Sequence, residues 1–249
     1  MLRTLTRADW LDALGLDPSL VPDWLLLRGT RNLRRRYDVY RQWFTDVIEV
    51  GSPNGLFEDV LIGRLGDRLV GYASVYGPAM ASEITHVFGV LGTRNVVITG
   101  VCGGLAEDVR AGDLVIASAA GCGEGAVACY LPGRTTITAS ADLVERATAG
   151  VGEHHAHVGP VWTTAALLAE GEDELTAWRD TGHIAVDMET ATVFGVAEWL
   201  GMRRVSVLSV FDNPLAGNHI ARTAHDLTEA RAAGERAADS IVRALISGG

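Results

Sequence analysis

Cysteine, basic charge and long apolar runs are all scarce in this chain. Its 249 residues hold three cysteines, Cys102, Cys122 and Cys129. Three are too few for a disulfide framework, and with no paired Cys or His motif they make a poor zinc site. The seven histidines show no ligand spacing, and His154, His155 and His157 read as surface residues. No metal is therefore expected. Apolar residues make up 48% of the chain, yet no unbroken run approaches the roughly 20 residues of a membrane-spanning helix. The first nine residues lack the apolar core of a secretory signal, so the expected location is cytoplasmic, away from membranes. Lys and Arg number 21 against 31 Asp and Glu, a net charge of −10, which argues against binding a nucleic-acid polymer.

What is present is an alternation of apolar strands and amphipathic helices. Residues 1–22 read as a peripheral N-terminal segment with a short helix, and residues 23–249 as one α/β domain. Asp23 to Leu27 is an apolar strand ending at Arg28-Gly29-Thr30, followed by a helical, arginine-rich stretch from Arg31 to Tyr37. Those arginines have a solvated face as their simplest reading. Val60 to Val75 reads as a β-hairpin turning at Gly66-Asp67. Ala79 to Leu91 reads as a helix closed by Gly92. Asn95 to Gly100 is a buried strand running into a glycine loop, Val101-Cys102-Gly103-Gly104-Leu105. That loop is neither a P-loop, since no Gly-Lys-Ser/Thr follows, nor a dinucleotide fingerprint. Cys102 within it reads as a buried small residue.

Further strands are expected at Leu114–Ala117, Ala156–Trp162, Ile184–Val186 and Arg204–Val210. Helices are expected at Ala141–Ala149, Glu174–Asp180 and from about Ala224 to Ile246. The pattern predicts a three-layer α/β/α fold with a central mixed, partly barrel-like sheet.

The stretch Val186-Asp187-Met188-Glu189-Thr190-Ala191 has two simple readings. It is either a buried strand delivering acids to the mouth of the sheet or an acidic helix start favoured by the helix dipole. Other strands end in distinctive residues too: Gly29-Thr30, the glycine loop, Trp162 and Asp212-Asn213. Polar groups at several strand ends, with one large aromatic, suit a small, flat, hydroxylated ligand. Glu189 can accept from two ribose hydroxyls, Trp162 can stack on a base, and Asp212 can protonate a base nitrogen if burial raises its carboxyl. Trp162 as plain core packing and Asp212 as a turn former are the competing readings. His219, Arg222 and His225 follow Asp212 and are candidates for orienting it.

These residues resemble the nucleoside phosphorylase-I superfamily, which includes purine nucleoside phosphorylases, uridine phosphorylases and methylthioadenosine-type nucleosidases. The likeness runs from about residue 24 to 246. It rests on Val97 to Leu105 with Asp108, Gly112 to Val115, Val186 to Ala191, and Phe211-Asp212-Asn213. It implies that Glu189 grips the ribose hydroxyls, Met188 packs under the sugar, Asp187 stands near the base and Trp162 lies against it. Gly29, Val101 and Gly103 fall in substrate-binding segments, and Asp212 matches the general acid. It also implies a homo-oligomer, dimer or hexamer, with no cofactor beyond phosphate as a possible co-substrate.

The chain departs from the pattern on the phosphate side. Leu33, Ile98 and Asn54 stand where arginines are expected, and Val101 where a hydroxyl is expected. A dianion there would lack charged donors, unless one of Arg31, Arg34, Arg35 and Arg36 turned inward. The expectation is therefore cleavage of a purine nucleoside's N-glycosidic bond with water ahead of phosphate. The alternatives are conventional phosphorolysis through a rearranged arginine, or a nucleoside-binding protein without a working nucleophile site. Glu58, Glu83 and Glu124 are the candidates for activating the water.

Overall fold

Apolar runs bounded by glycine turns set the sheet, and the computed structural model describes it for residues 1–52, 55–218 and 227–248. The expectations placed on Asn54, His219, Arg222, His225 and the first residues of the final helix lie outside the described residues. Strand β1 (Trp24–Gly29) is buried along its whole length and runs parallel to two neighbours, β4 (Arg68–Val75) and β5 (Asn95–Gly104). A strand enclosed on both faces needs such a continuous apolar run. β3 (Val60–Leu65) pairs antiparallel with β4 through the expected hairpin, whose Gly66 takes φ +61°. β2 (Thr45–Glu49), which the sequence reading did not separate, is the sheet's edge.

Beyond β5 the sheet closes on itself. β5 pairs with β10 (Arg203–Asp212), β10 with β6 (Leu114–Gly123), β6 with β8 (Ala156–Thr164), β8 with β9 (Ala185–Asp187), and β9 returns to β5. This five-strand closure is the barrel-like part, and a short β7 (Thr136–Thr138) hangs on β6. One expectation is corrected: Val101 to Gly104 is not a loop but the end of β5. Its glycines remain extended because β9 and β10 both pair with this stretch. β6 likewise runs on past the expected end at Ala117, through the glycine-rich stretch as far as Gly123.

Helices cover both faces. α3 (Gly77–Leu91), α4 (Ala126–Tyr130) and α7 (Thr190–Trp199) lie on one side, joined by the N-terminal α1 (Arg7–Leu14), which packs on α3. α2 (Leu33–Arg41), α5 (Ala141–Ala149) and α8 (Thr228–Ser247) lie on the other. Each side has its own apolar core, one around Leu26, Tyr72, Val205 and Ile241 and one around Leu27, Phe88, Ile98 and Val193. α6 (Glu172–Asp180) sits at one end, against the Pro214–Ala216 turn that follows β10. Among the described residues no helix is long and apolar enough to cross a membrane.

Candidate functional site

The site begins at the three-residue strand β9 and the turn into α7. Asp187 is buried and fully engaged: its Oδ1 accepts from Thr163 Oγ1 at 2.7 Å, and its Oδ2 accepts from Thr190 N at 2.9 Å and Thr190 Oγ1 at 2.5 Å. Thr163 Oγ1 in turn accepts from Ala191 N at 2.9 Å. Two threonines and one carboxylate thus satisfy the first free N–H groups of α7, the task a helix start must solve. Asp187 is turned into the helix start, where it positions its neighbours.

That network leaves Glu189 aimed the other way. Its Oε1 accepts from Gly77 N, the first residue of α3, at 2.7 Å. Its Oε2 lies against Gly29 at the end of β1, where an added Cβ would come within 2.8 Å of it. Only glycine leaves the carboxylate this room. Glu189 is 7% exposed. Burial, followed by the neighbouring Asp187 charge, pushes its carboxyl up to about 8, against the Gly77 hydrogen bond and the Arg28 charge, which favour the ionised form. Met188 is half-buried between the two acids.

The end of β5 joins this acid to the second one. Gly103 pairs with Val186 of β9 and with Asp212 of β10. A Cβ on Gly103 would stand 3.3 Å from Val186 Cγ1 and 3.4 Å from Asp212 Oδ1. Asp212 is buried, and the next residue fixes the strand end. Asn213 Nδ2 donates to the carbonyls of Ala106 and Val109 at 2.8 and 2.9 Å, and its Oδ1 accepts from Ala216 N. Gly29, Gly103, Glu189 and Asp212, spread over 183 positions of sequence, are therefore set by β1, β5 and the strands flanking them.

Trp162, on β8 beside Val186, is half-buried and stacks on Trp178 of α6 with ring centroids 5.5 Å apart. His183 meets its edge at 5.1 Å, and Gly121 and Gly123 lie close against its ring. Trp162 is thus held in a small cluster with Leu105, Leu175, Val186 and Leu215.

One acidic residue escaped the sequence reading. Glu170, in the loop before α6, has a buried Oε1 without a hydrogen-bond partner. Burial and the charge of Asp212 push its carboxyl up to about 7, opposed by Arg31. Its sequence neighbours Ala169, Gly171 and Glu172 do not signal this, because the Asp212 charge that acts on it comes from 42 positions away.

Two positions from which the resemblance expects phosphate ligands carry apolar side chains instead. Ile98 is 1% exposed inside the core, and Val101 is 39% exposed at the strand end. Arg34 is paired with Asp38 and Asp59, and Arg36 with Glu235. Arg31 lies over the Tyr76 ring at 5.4 Å. Arg28 is buried and pairs with Glu235 at 3.1 Å. Of the water-activating candidates, Glu124 is taken up by the N–H groups of Ala126 and Val127 at the start of α4. Glu58 and Glu83 are exposed and line a crevice of about 190 Å³ with Ser74 and Met80.

A buried acid gripped at a strand-to-helix turn, beside a closed five-strand barrel, defines a class recognisable by comparison. The model of the phosphorylase superfamily matches residues 30–247, and the chain belongs to that superfamily. Among its relatives, the guanosine phosphorylase of Halorubrum lacusprofundi is 30% identical over 159 residues, covering 62% of this chain and 63% of that one. The DeoD-type purine nucleoside phosphorylase of Bacillus cereus (strain B4264) is 30% identical over 143 residues, 56% of this chain and 61% of that one. The chain thus spans about three fifths of the length of these relatives. The crystal structure of uridine phosphorylase from Vibrio fischeri ES114 superposes with a TM-score of 0.79 at 19% identity, covering 94% of this chain and 95% of that one.

Proposed function

We propose that the chain cleaves the N-glycosidic bond of a nucleoside, with a purine base preferred and water as the attacking group ahead of phosphate. The observation that carries the reading is the Glu189 carboxylate, buried between Gly29 and the Gly77 N–H and joined through Gly103 to Asp212. In this reading Glu189 accepts from the two ribose hydroxyls, Met188 packs under the sugar and Trp162 borders the base. Asp212 hands a proton to a purine nitrogen as the bond breaks. The sugar becomes oxocarbenium-like while negative charge leaves onto the base, so an acid held at the base lowers the barrier most. Asp187 acts by orienting Glu189 rather than by touching the ligand. The relatives named as guanosine and purine nucleoside phosphorylases support the purine.

Water is favoured over phosphate because Ile98 and Val101 offer a dianion no donor, while Arg34 and Arg36 are already paired. Uncompensated burial of a dianion is far costlier than burial of water. A second reading keeps phosphorolysis and rests on Arg31, whose charge reaches Glu170 and so acts within the site. Base release from a purine nucleoside panel, with and without phosphate, separates the two. Free ribose formed without phosphate is the expected result; strict phosphate dependence with ribose 1-phosphate as product would sink the preference. Binding without release under either condition would instead indicate a binding protein. No cofactor enters the reaction. A cytoplasmic homo-oligomer acting on small molecules completes the proposal.

The contact between Gly29 and Glu189 supplies a milder test. Gly29→Ala places a methyl group 2.8 Å from Glu189 Oε2, so the carboxylate must swing away. KM is expected to rise about tenfold, the loss of roughly one hydrogen bond, with kcat less affected. An unchanged KM would show that the carboxylate position does not matter for binding.

A further inference from the structure

From sequence the histidines around residue 155 read as surface residues, but the fold brings two of them to an acid. His155 lies immediately before β8 and His157 within it, two residues apart and so on the same side of the strand. Strand β6 pairs alongside in the register Leu114 to Ala156 and Val115 to His157, which sets Asp113, just ahead of β6, beside both rings. His157 Nε2 is 3.0 Å from Asp113 Oδ2, and the His155 and His157 ring centroids are 6.2 Å apart. One ligand atom from each of the three residues lies within 4.8 Å of the other two. His157 is half-buried, and behind it Asp108 faces Nδ1 at 3.8 Å.

We propose that Asp113, His155 and His157 bind a divalent transition-metal ion of the zinc class, with Asp108 orienting His157 from behind. Two imidazoles and one carboxylate form a borderline N/N/O donor set. Such sets take Zn²⁺, Ni²⁺ or Cu²⁺ ahead of Mg²⁺ or Ca²⁺, which prefer all-oxygen cages. Metal–ligand bonds of about 2.0–2.2 Å require only that the rings and the carboxylate close by roughly an ångström. A ligating histidine typically donates its second N–H to a carboxylate, which fixes its ring, and Asp108 stands on that side. The carboxylate of Asp113 also accepts from Arg110 N at 2.9 Å, so it is held in place before any ion arrives. His155 is exposed, which leaves the ion open to water as a fourth ligand.

The placement gives the ion a structural task. Residues 105–113 connect β5 to β6. Asn213 pins the first part of this connection through Ala106 and Val109, directly beside Asp212. Its far end is tied to β10 by Gly112 N donating to the Val210 carbonyl and Val210 N donating to the Asp113 carbonyl, both at 2.8 Å. A metal at Asp113 would clasp that end to the start of β8, closing the barrel's rim next to the catalytic acid.

The test uses the full, untagged, metal-stripped chain titrated with ZnCl₂, read by calorimetry and by melting temperature. One saturable site per chain is expected, with Ni²⁺ competing and Mg²⁺ inert. At about 100-fold excess over Kd the melting temperature should rise by about 5 °C. The exposed substitution His155→Ala should weaken binding at least tenfold and abolish that rise, and Asp108→Asn should weaken it about tenfold. Absence of saturable binding overturns the proposal, as does affinity unchanged in both His155→Ala and Asp113→Asn. Neither readout needs nucleoside cleavage, so the outcome is independent of the proposed reaction.

Discussion

Glu189→Gln is expected to lower kcat/KM for a purine nucleoside by at least about 100-fold and to raise the melting temperature at pH 8. The first effect follows from the proposed ribose grip. Sugar hydroxyls donating to the carboxyl favour its ionised form, and the resulting carboxylate contributes two charge-assisted bonds, each about 1.5–3 kcal/mol. Glutamine offers one acceptor oxygen and an NH₂ group. If the oxygen stays on Gly77 N, the donor faces the sugar. The second effect is one of proton linkage. The Glu189 carboxyl is pushed up to about 8 in the folded chain from an ordinary value of 4.5, chiefly by burial. Between those two values the folded chain holds a proton that the unfolded chain has lost. Stability is therefore fully present below about 4.5, falls as pH rises towards about 8, and stays low beyond it. Glutamine cannot ionise and escapes this loss, so the variant should gain about 5 °C over the parent at pH 8 and little at pH 4.5. Parallel melting curves across that range would show that Glu189 is ionised in the fold throughout. A loss of activity below tenfold would remove it from the ribose grip.

The second large effect is at Asp212. Asp212→Asn is expected to lower kcat by about 10²–10⁴, the usual worth of a positioned general acid, with a much smaller change in KM. The side chain keeps its size, so the close fit with Gly103 survives. The discriminating measurement uses a riboside whose leaving group needs no proton, such as 4-nitrophenyl riboside. If Asp212 acts as an acid, that substrate should lose less than tenfold while a purine nucleoside loses the full amount. Equal losses on both would mean that Asp212 supports the structure of the strand end rather than the chemistry.

Most of the fold was legible because apolar periodicity and glycine turns act locally. The 60–75 hairpin, α3 with its Gly92 cap and α5 from Ala141 to Ala149 all follow from such patterns. What escaped was set by distant partners. Val101 to Gly104 looks like a loop because glycine is a poor strand former, yet two strands from later in the chain pair with it. Exposed β2 carries no buried alternation to mark it. In the site, the position of Glu189 at a strand-to-helix turn was readable from its neighbours. The orientation of Asp187 was not, since it depends on Thr163, 24 residues upstream. Glu170 and the Asp113–His157 pair carry no local signal, because their environments exist only once α6 and β6 are packed.

β5 carries a consequence of its own. Gly100 abuts the carbonyl of Gly29, on the side of the site where Glu189 lies, and Gly103 abuts Asp212. Three steps of extended chain separate them, about 10 Å at 3.3 Å per residue, the reach of a sugar with its base attached. Under the proposed reaction the strand works as a ruler, spacing Glu189 for the sugar from Asp212 for the base. Deleting one residue between Gly100 and Gly103 would shorten that spacing and turn the remaining glycines to the opposite face, leaving two intact half-sites out of register.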